Sequence, residues 1–178
     1  MRRLLCTRSV PAVLAAGLAL AAAACGGPSF DGTVYRGNEV AFRVPRAPEG
    51  WQRLDVSDAA VAYRDEANNA TVAVSGRCRN EDDVPLAALT QHLFLQFTER
   101  EILTQEVVPL DGREAMHTVL AAKLDGVPKK FDVWVLKKDG CVYDLILIAE
   151  PARFEAGAAT FSRLVRGFAT LPTPTDER

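Results

Sequence analysis

The sequence predicts an α+β fold, a mainly antiparallel sheet of about six to eight strands flanked by two main helices. Three observations carry that prediction. Short segments of alternating or continuous apolar character are separated by Asp-Gly turn signals at Asp111-Gly112, Asp125-Gly126 and Asp139-Gly140. Two other segments, one mid-chain and one near the end, change to helical spacing. The resulting order of strands, helix, strands, helix joins the strands mainly by hairpins, which makes neighbours antiparallel and leaves the helices to cover the faces.

Val40, Phe42 and Val44 alternate with Ala41 and Arg43 and read as a strand. Pro45, Pro48 and Gly50 stop it, and Trp51 opens a second short segment. Val61–Arg64 and Thr71–Val74 form a hairpin around Asp65-Glu66-Ala67-Asn68-Asn69, where the paired asparagines suit positive φ. Leu86, Leu89, Leu93 and Phe97 then recur at spacings of three and four, one face of a helix. Asp83 is placed to cap it and Pro85 is tolerated in the first turn. Strands follow at Ile102–Leu110, Glu114–Leu124, Phe131–Lys137 and Cys141–Ala149. Within the last, Val142–Ile148 is apolar at most positions on both faces, as a central strand covered on each side would be. Pro151 ends the sheet, and Phe154, Phe161, Leu164, Val165 and Phe168 mark a second amphipathic helix over about 152–169, slightly weakened by Gly157 and Gly167.

The N-terminus carries an address. Arg2, Arg3 and Arg8 precede an uncharged, mostly apolar run from Val10 to Ala24, which ends in small residues immediately before Cys25. That run is shorter than the ~20 residues needed to span a bilayer as a helix. Its layout is that of a secretory signal, and it resembles a bacterial lipoprotein signal in which Cys25 becomes the lipidated first residue. Two outcomes stay open at the cleavage point. Ala22-Ala23-Ala24 also satisfies ordinary secretory cleavage, and the lipobox leucine three residues before the cysteine is missing. Cysteine arithmetic favours lipidation. Cys6 leaves with the signal, and a lipidated Cys25 leaves Cys78 and Cys141 to pair, with no odd thiol in an exported protein. Their 62 intervening residues would close a loop worth roughly 3–4.5 kcal/mol.

The domain plan is therefore a signal at 1–24, a tether at 25–33, one domain at 34–171 and a flexible tail at 172–178. Gly26 follows the cysteine with no aspartate to suggest inner-membrane retention. By resemblance to that sorting rule the expected location is the outer membrane, facing the periplasm. The whole chain has 21 basic and 23 acidic residues. Loss of Arg2, Arg3 and Arg8 leaves a mature charge of about −5, which gives no general attraction for nucleic acid or anionic headgroups.

In the body of the chain, Tyr35-Arg36 leads to Val40-Ala41-Phe42-Arg43-Val44-Pro45 and then Glu49-Gly50-Trp51. Helix Leu86–Glu99 precedes Val108-Pro109-Leu110-Asp111-Gly112-Arg113-Glu114-Ala115, and Gly140-Cys141-Val142-Tyr143-Asp144-Leu145 precedes a closing helix that ends at Phe168. In these features nearly the whole mature chain resembles the PsbP-like and DcrB-like envelope domains. The resemblance implies an antiparallel sheet sandwiched between helices and an accessory or scaffolding role. It carries over no catalytic residue.

Each candidate chemistry has a plainer structural account. His92 and His117 are the only histidines, and no H-x-x-x-H, H-E-x-x-H or C-x-x-C spacing exists for a metal site. Ser75-Gly76 lacks the first glycine of a nucleophile elbow. Glu81-Asp82-Asp83 lacks the calcium-loop pattern and suits a helix N-terminus. Asn69-Ala70-Thr71 matches the glycosylation sequon, and turn chemistry explains it. Lys129-Lys130 and Lys137-Lys138 read as charged hairpin edges, and Trp51 and Trp134 as core residues ahead of surface anchors for a partner. The expectation is a non-enzymatic, lipid-anchored envelope module without cofactor or metal. It would be held to the membrane by its N-terminal lipid and engage a protein partner rather than nucleic acid. The alternative is a small-ligand-binding or weakly hydrolytic lipoprotein with a pocket between sheet and helix.

Overall fold

The computed structural model describes residues 27–78 and 84–173. In chain order the strands and helices are β1 (Ser29–Phe30), β2 (Val34–Arg36), β3 (Ala41–Arg43), β4 (Trp51–Leu54), β5 (Val61–Asp65) and β6 (Ala70–Arg77), then α1 (Leu86–His92). After these come β7 (Thr98–Leu110), β8 (Arg113–Leu124), β9 (Val127–Lys138), β10 (Cys141–Ala149), α2 (Phe154–Gly167) and β11 (Ala169–Leu171). Seven strands form one antiparallel sheet in the order β4-β5-β6-β10-β9-β8-β7, and four form a smaller one in the order β1-β2-β3-β11.

All three Asp-Gly pairs make the hairpins of the large sheet. Asp111, Asp125 and Asp139 have φ of 48°, 50° and 52°, and the glycines that follow have 75°, 79° and 71°. Positive φ at both central residues is the geometry whose twist matches that of the flanking strands. Register follows directly, with Leu110 opposite Arg113, Leu124 opposite Val127 and Lys138 opposite Cys141.

Alternation along the strands then sorts the side chains between two cores. On one face Tyr143, Leu145 and Leu147 of β10 pack with Val72 and Val74 of β6, Phe154, Phe161, Leu164 and Val165 of α2, and Phe42 of the small sheet. On the other, Val142 joins Met116, Leu120, Phe131, Val133 and Val135 beneath Leu89 and Phe94. Strand β10 stands fourth of seven, covered on both sides, which is why its sequence is apolar at most positions.

The structure departs from the sequence reading at several element ends. Helix α1 stops at His92, two turns short of Glu99. Leu93, Phe94 and Phe97 instead donate their amides three residues back, in successive turns, while still packing on the second core. Pro85 occupies the N-cap position with no side-chain cap, and Asp83 lies outside the described residues. Strand β7 begins at Thr98, four residues before Ile102. The stretch read as tether contains β1, whose Ser29 and Phe30 pair with Arg36 and Tyr35 of β2. The second helix, read over about 152–169, spans Phe154–Gly167, and from Ala169 the chain forms β11, which pairs with β3. Helix α2 gives way to it where Gly167 meets Pro45, since a Cβ at Gly167 would fall 2.2 Å from the Pro45 ring.

Candidate functional site

Strands β6 and β10 are paired up to Arg77–Val142, so the next residues out, Cys78 and Cys141, face each other across the end of the ladder. They form a disulfide with Cα atoms 4.1 Å apart. It borders an open cleft of about 760 Å³ shared with Asn38, Glu39, Lys138 and Tyr143. Lys138 is already held there, donating to the carbonyl and to Oδ2 of Asp111 at 2.9 and 2.8 Å. The amide and hydroxyl of Thr170 donate to the same carboxylate oxygen. Burial alone would raise the Asp111 pKa, but the Lys138 and Thr170 hydrogen bonds outweigh it and hold it below the usual carboxylate value. This cluster ties the β7–β8 turn to β11, and so the large sheet to the small one.

A second cluster lies on the α2 side of the large sheet. His117 of β8 sits directly opposite Trp134 of β9, their rings stacked with centroids 4.3 Å apart. Asp132 Oδ1 accepts from Trp134 Nε1 at 3.0 Å and lies 3.0 Å from His117 Nε2. His117 Nδ1 faces Glu106 of β7 at 3.5 Å. Burial opposes a charged imidazole here. The hydrogen bond and charge of Asp132, with Glu106 acting in the same sense, prevail and raise the His117 pKa above its ordinary 6.5. Both ring nitrogens are thus turned to carboxylates, and neither is directed at a substrate position. The arrangement stabilises the protonated imidazole relative to the neutral one.

The remaining sequence candidates are not brought together. His92 stands on α1 and His117 on the opposite face of the sheet. Ser75 lies on the α1 side, 3.5 Å from Asp144, and so cannot meet His117. Among the described residues no three of His, Cys, Asp and Glu cluster as a metal site would require. Cys25 and Glu81-Asp82-Asp83 lie outside the described residues. Asn69 has φ of 47°, and its side chain bonds Arg64 and Glu150, as a turn residue would. The lysines are tied down separately, Lys130 to Glu155 and Lys137 to the Val84 carbonyl. Trp51 and Trp134 are half-buried rather than enclosed. Between the centre of the large sheet and α2 the space is filled, with Phe161, Leu145 and Leu147 fully enclosed. At the end of the helix an open recess of about 450 Å³ lies between Pro109 and Trp134 of the large sheet and Val165, Arg166 and Gly167 of α2.

Two groups escaped the sequence reading, Asp132 and Asp144. Each is an acid inside an apolar run, Phe131–Leu136 for Asp132 and Val142–Ile148 for Asp144, and that was the signal. Asp144 is 2% exposed and paired with Arg77 at 2.5 Å. A buried carboxylate demands partners of this kind.

The chain matches no protein-family model and no curated protein. Among solved structures it is similar to the cyanobacterial PsbP protein CyanoP of Synechocystis sp. PCC 6803, with a TM-score of 0.56 and 16% identity over 83% of this chain and 97% of that one. It is similar to PA94 of Pseudomonas aeruginosa, a protein of unknown function described as a putative regulator, with a TM-score of 0.53 and 15% identity over 83% of this chain and all of that one. It is also similar to LpqN of Mycobacterium tuberculosis, described as involved in cell envelope biogenesis, with a TM-score of 0.53 and 16% identity over 74% of this chain and 83% of that one. The fold is PsbP-like. At these identities the likeness establishes architecture alone.

Proposed function

We propose that the protein is a lipid-anchored accessory module of the cell envelope, acylated at Cys25 after removal of residues 1–24, that binds another envelope protein through the open edge of its large sheet. The single observation carrying the binding role is strand β7. It forms the outer edge of the seven-stranded sheet and is exposed along nearly all of its thirteen residues. Ile102, Leu103 and Val107 stand 52%, 46% and 53% exposed on it. An edge this long is ordinarily defended, and two register shifts, several charges and Pro109 defend it against indiscriminate pairing. Apolar side chains left on a guarded edge suit a specific partner. The reading of the role as accessory draws on the PsbP-like fold and on LpqN's description. The address draws on Leu20–Gly27, and the outer membrane's periplasmic leaflet is the proposed location. No helix among the described residues is long and apolar enough to cross a membrane.

Two measurements test this. Mass spectrometry of the native N-terminal peptide should find acyl chains on Cys25, and an unmodified N-terminal thiol would remove the anchor. A photo-crosslinker at Gln105, installed in cells, should give one dominant protein adduct that Val107→Lys abolishes. No adduct, or one indifferent to that substitution, would remove the edge as the binding surface.

A further inference from the structure

Six arginines of the described residues form a connected band around the small sheet and the adjoining end of α2. Arg36 and Arg43 lie on the outer face of the small sheet, opposite Ala41 and Val34 across the β2–β3 pair. That makes them diagonal neighbours roughly 7–8 Å apart. Arg43 shares a recess of about 450 Å³ with Arg166. One turn away on α2, Arg163 shares another, of about 240 Å³, with Arg46 and Trp51. Arg46 and Arg53 both act electrostatically on the Tyr63 hydroxyl. The Arg53 guanidinium lies 5.6 Å from the Tyr63 ring centroid and 5.2 Å from that of Phe30 in β1. All six side chains are exposed, and none forms an ion pair among the described residues. The acids nearest in sequence are Asp31, Glu39, Glu49, Asp55 and Asp58, and Asp111 lines the recess of Arg43 and Arg166. Glu39 accepts from the Cys78 amide, and Asp111 is occupied by Lys138 and Thr170. Asp31 is occupied by its own turn, its Oδ1 accepting from the amides of Thr33 and Val34.

We infer that this band is a docking surface for the phosphate headgroups of anionic lipid, and that it fixes which side of the module lies against the membrane. The inference rests on the lipid-anchor reading for its orientation, and the geometry ties the two together. Strand β1 starts at Ser29, so only Gly26, Gly27 and Pro28 separate it from Cys25. Those four virtual bonds span at most about 14 Å. An anchor that short holds β1, and the Arg53 stacked on Phe30, within one to two Debye lengths of the bilayer, about 8 Å each at physiological salt. Arginine presents a planar fork matched to phosphate, which a lysine's point charge does not. Trp51, half-buried beside Arg46 and Arg163, supplies the amphipathic ring typical of a membrane interface. The mature chain's net negative charge conceals this sidedness. The expectation that the protein ignores anionic headgroups follows from the total charge and not from its distribution.

The test uses the full chain carrying Cys25→Ser, which has no acyl acceptor, exported and confirmed by mass to lack residues 1–24. It is sedimented with vesicles of phosphatidylcholine alone or of phosphatidylcholine with about one part in four of phosphatidylglycerol. Binding is expected to the anionic vesicles only and to fall steeply with added salt. At about fivefold per basic residue, Arg46→Gln with Arg163→Gln should weaken it about 25-fold. Lys123→Gln with Lys129→Gln should leave it unchanged, and matching circular dichroism would show both variants folded. Binding to neither vesicle, equal binding to both, or equal losses in the two double variants would overturn the proposal. Because the assay contains no acyl group, finding Cys25 unmodified in the native protein leaves this result standing, and proving Cys25 acylated cannot rescue a failure here.

Discussion

Replacing both Cys78 and Cys141 by serine should lower stability by an amount set almost wholly by the unfolded chain. The bond joins residues 63 apart in sequence. In the chain-entropy treatment a loop of that length removes about 14 cal/mol/K from the denatured ensemble, or about 4.3 kcal/mol at 25 °C. In the folded state the two residues are already opposed across the end of the β6–β10 ladder. The variant therefore loses little native structure beyond the closure itself. With an unfolding entropy of about 2.1 cal/mol/K per residue over a domain of this size, the melting temperature should drop by about 14 °C. The urea m-value should rise as well, because an unlinked unfolded chain exposes more surface. Calorimetry and urea titration of the parent, with and without reductant, and of the double serine variant would measure both. A peptide map of the non-reduced parent comes first, since a digest without a Cys78–Cys141 peptide would end the argument at once. If the map shows the bond, a fall under about 3 °C with unchanged m would refute the unfolded-state account.

The two glycines of α2 should respond oppositely to alanine. At Gly157 a Cβ would rest 3.5 Å from Ala70 and Leu147, so Gly157→Ala should gain about 0.5–1 kcal/mol from helix propensity. At Gly167 it would strike Pro45, so Gly167→Ala should cost about 1–3 kcal/mol, both by denaturant titration. The raised pKa of His117 adds stability that is fully present below pH 6.5, its unfolded value, and is lost as pH rises through the higher folded value. NMR titration should place the imidazole above 6.5, and His117→Gln should flatten that limb of the stability profile; a resonance titrating below 6.5 would contradict the cluster. Arg77→Met removes a charged partner of buried Asp144 and should cost about 1.5–3 kcal/mol in the same titrations.

What could be read beforehand was what local chemistry decides. Asp-Gly turns require only their own two residues to adopt positive φ, and all three lie where the pairs occur. The two-sided apolarity of Val142–Ile148 reflects burial between two layers and needed no knowledge of its neighbours. Strands β1 and β11 were hidden because two or three residues carry no period, and β11 pairs with β3 from the far end of the chain. The spacing of Leu86, Leu89, Leu93 and Phe97 reported burial faithfully and misled about conformation, since successive turns deliver Leu93 and Phe97 to the same core as a helix would. His117 and Trp134 could be placed on strands, but their stacking depends on the β8–β9 register. The arginine band was invisible for the same reason. Its members come from four separate elements and loops, and only the fold collects them.

The small sheet holds the first and last strands of the described residues, β1 and β11, as its two outer strands. Three interstrand spacings of about 4.8 Å put those strands roughly 14 Å apart. The described chain therefore enters and leaves the fold on one small sheet, and a fluorophore pair at Ser29 and Leu171 would report that sheet's integrity by energy transfer. The Asp125-Gly126 turn joins two long strands at a tip of the large sheet, and its residues touch neither core cluster. Reporters spliced in there would leave both cores and the small sheet undisturbed.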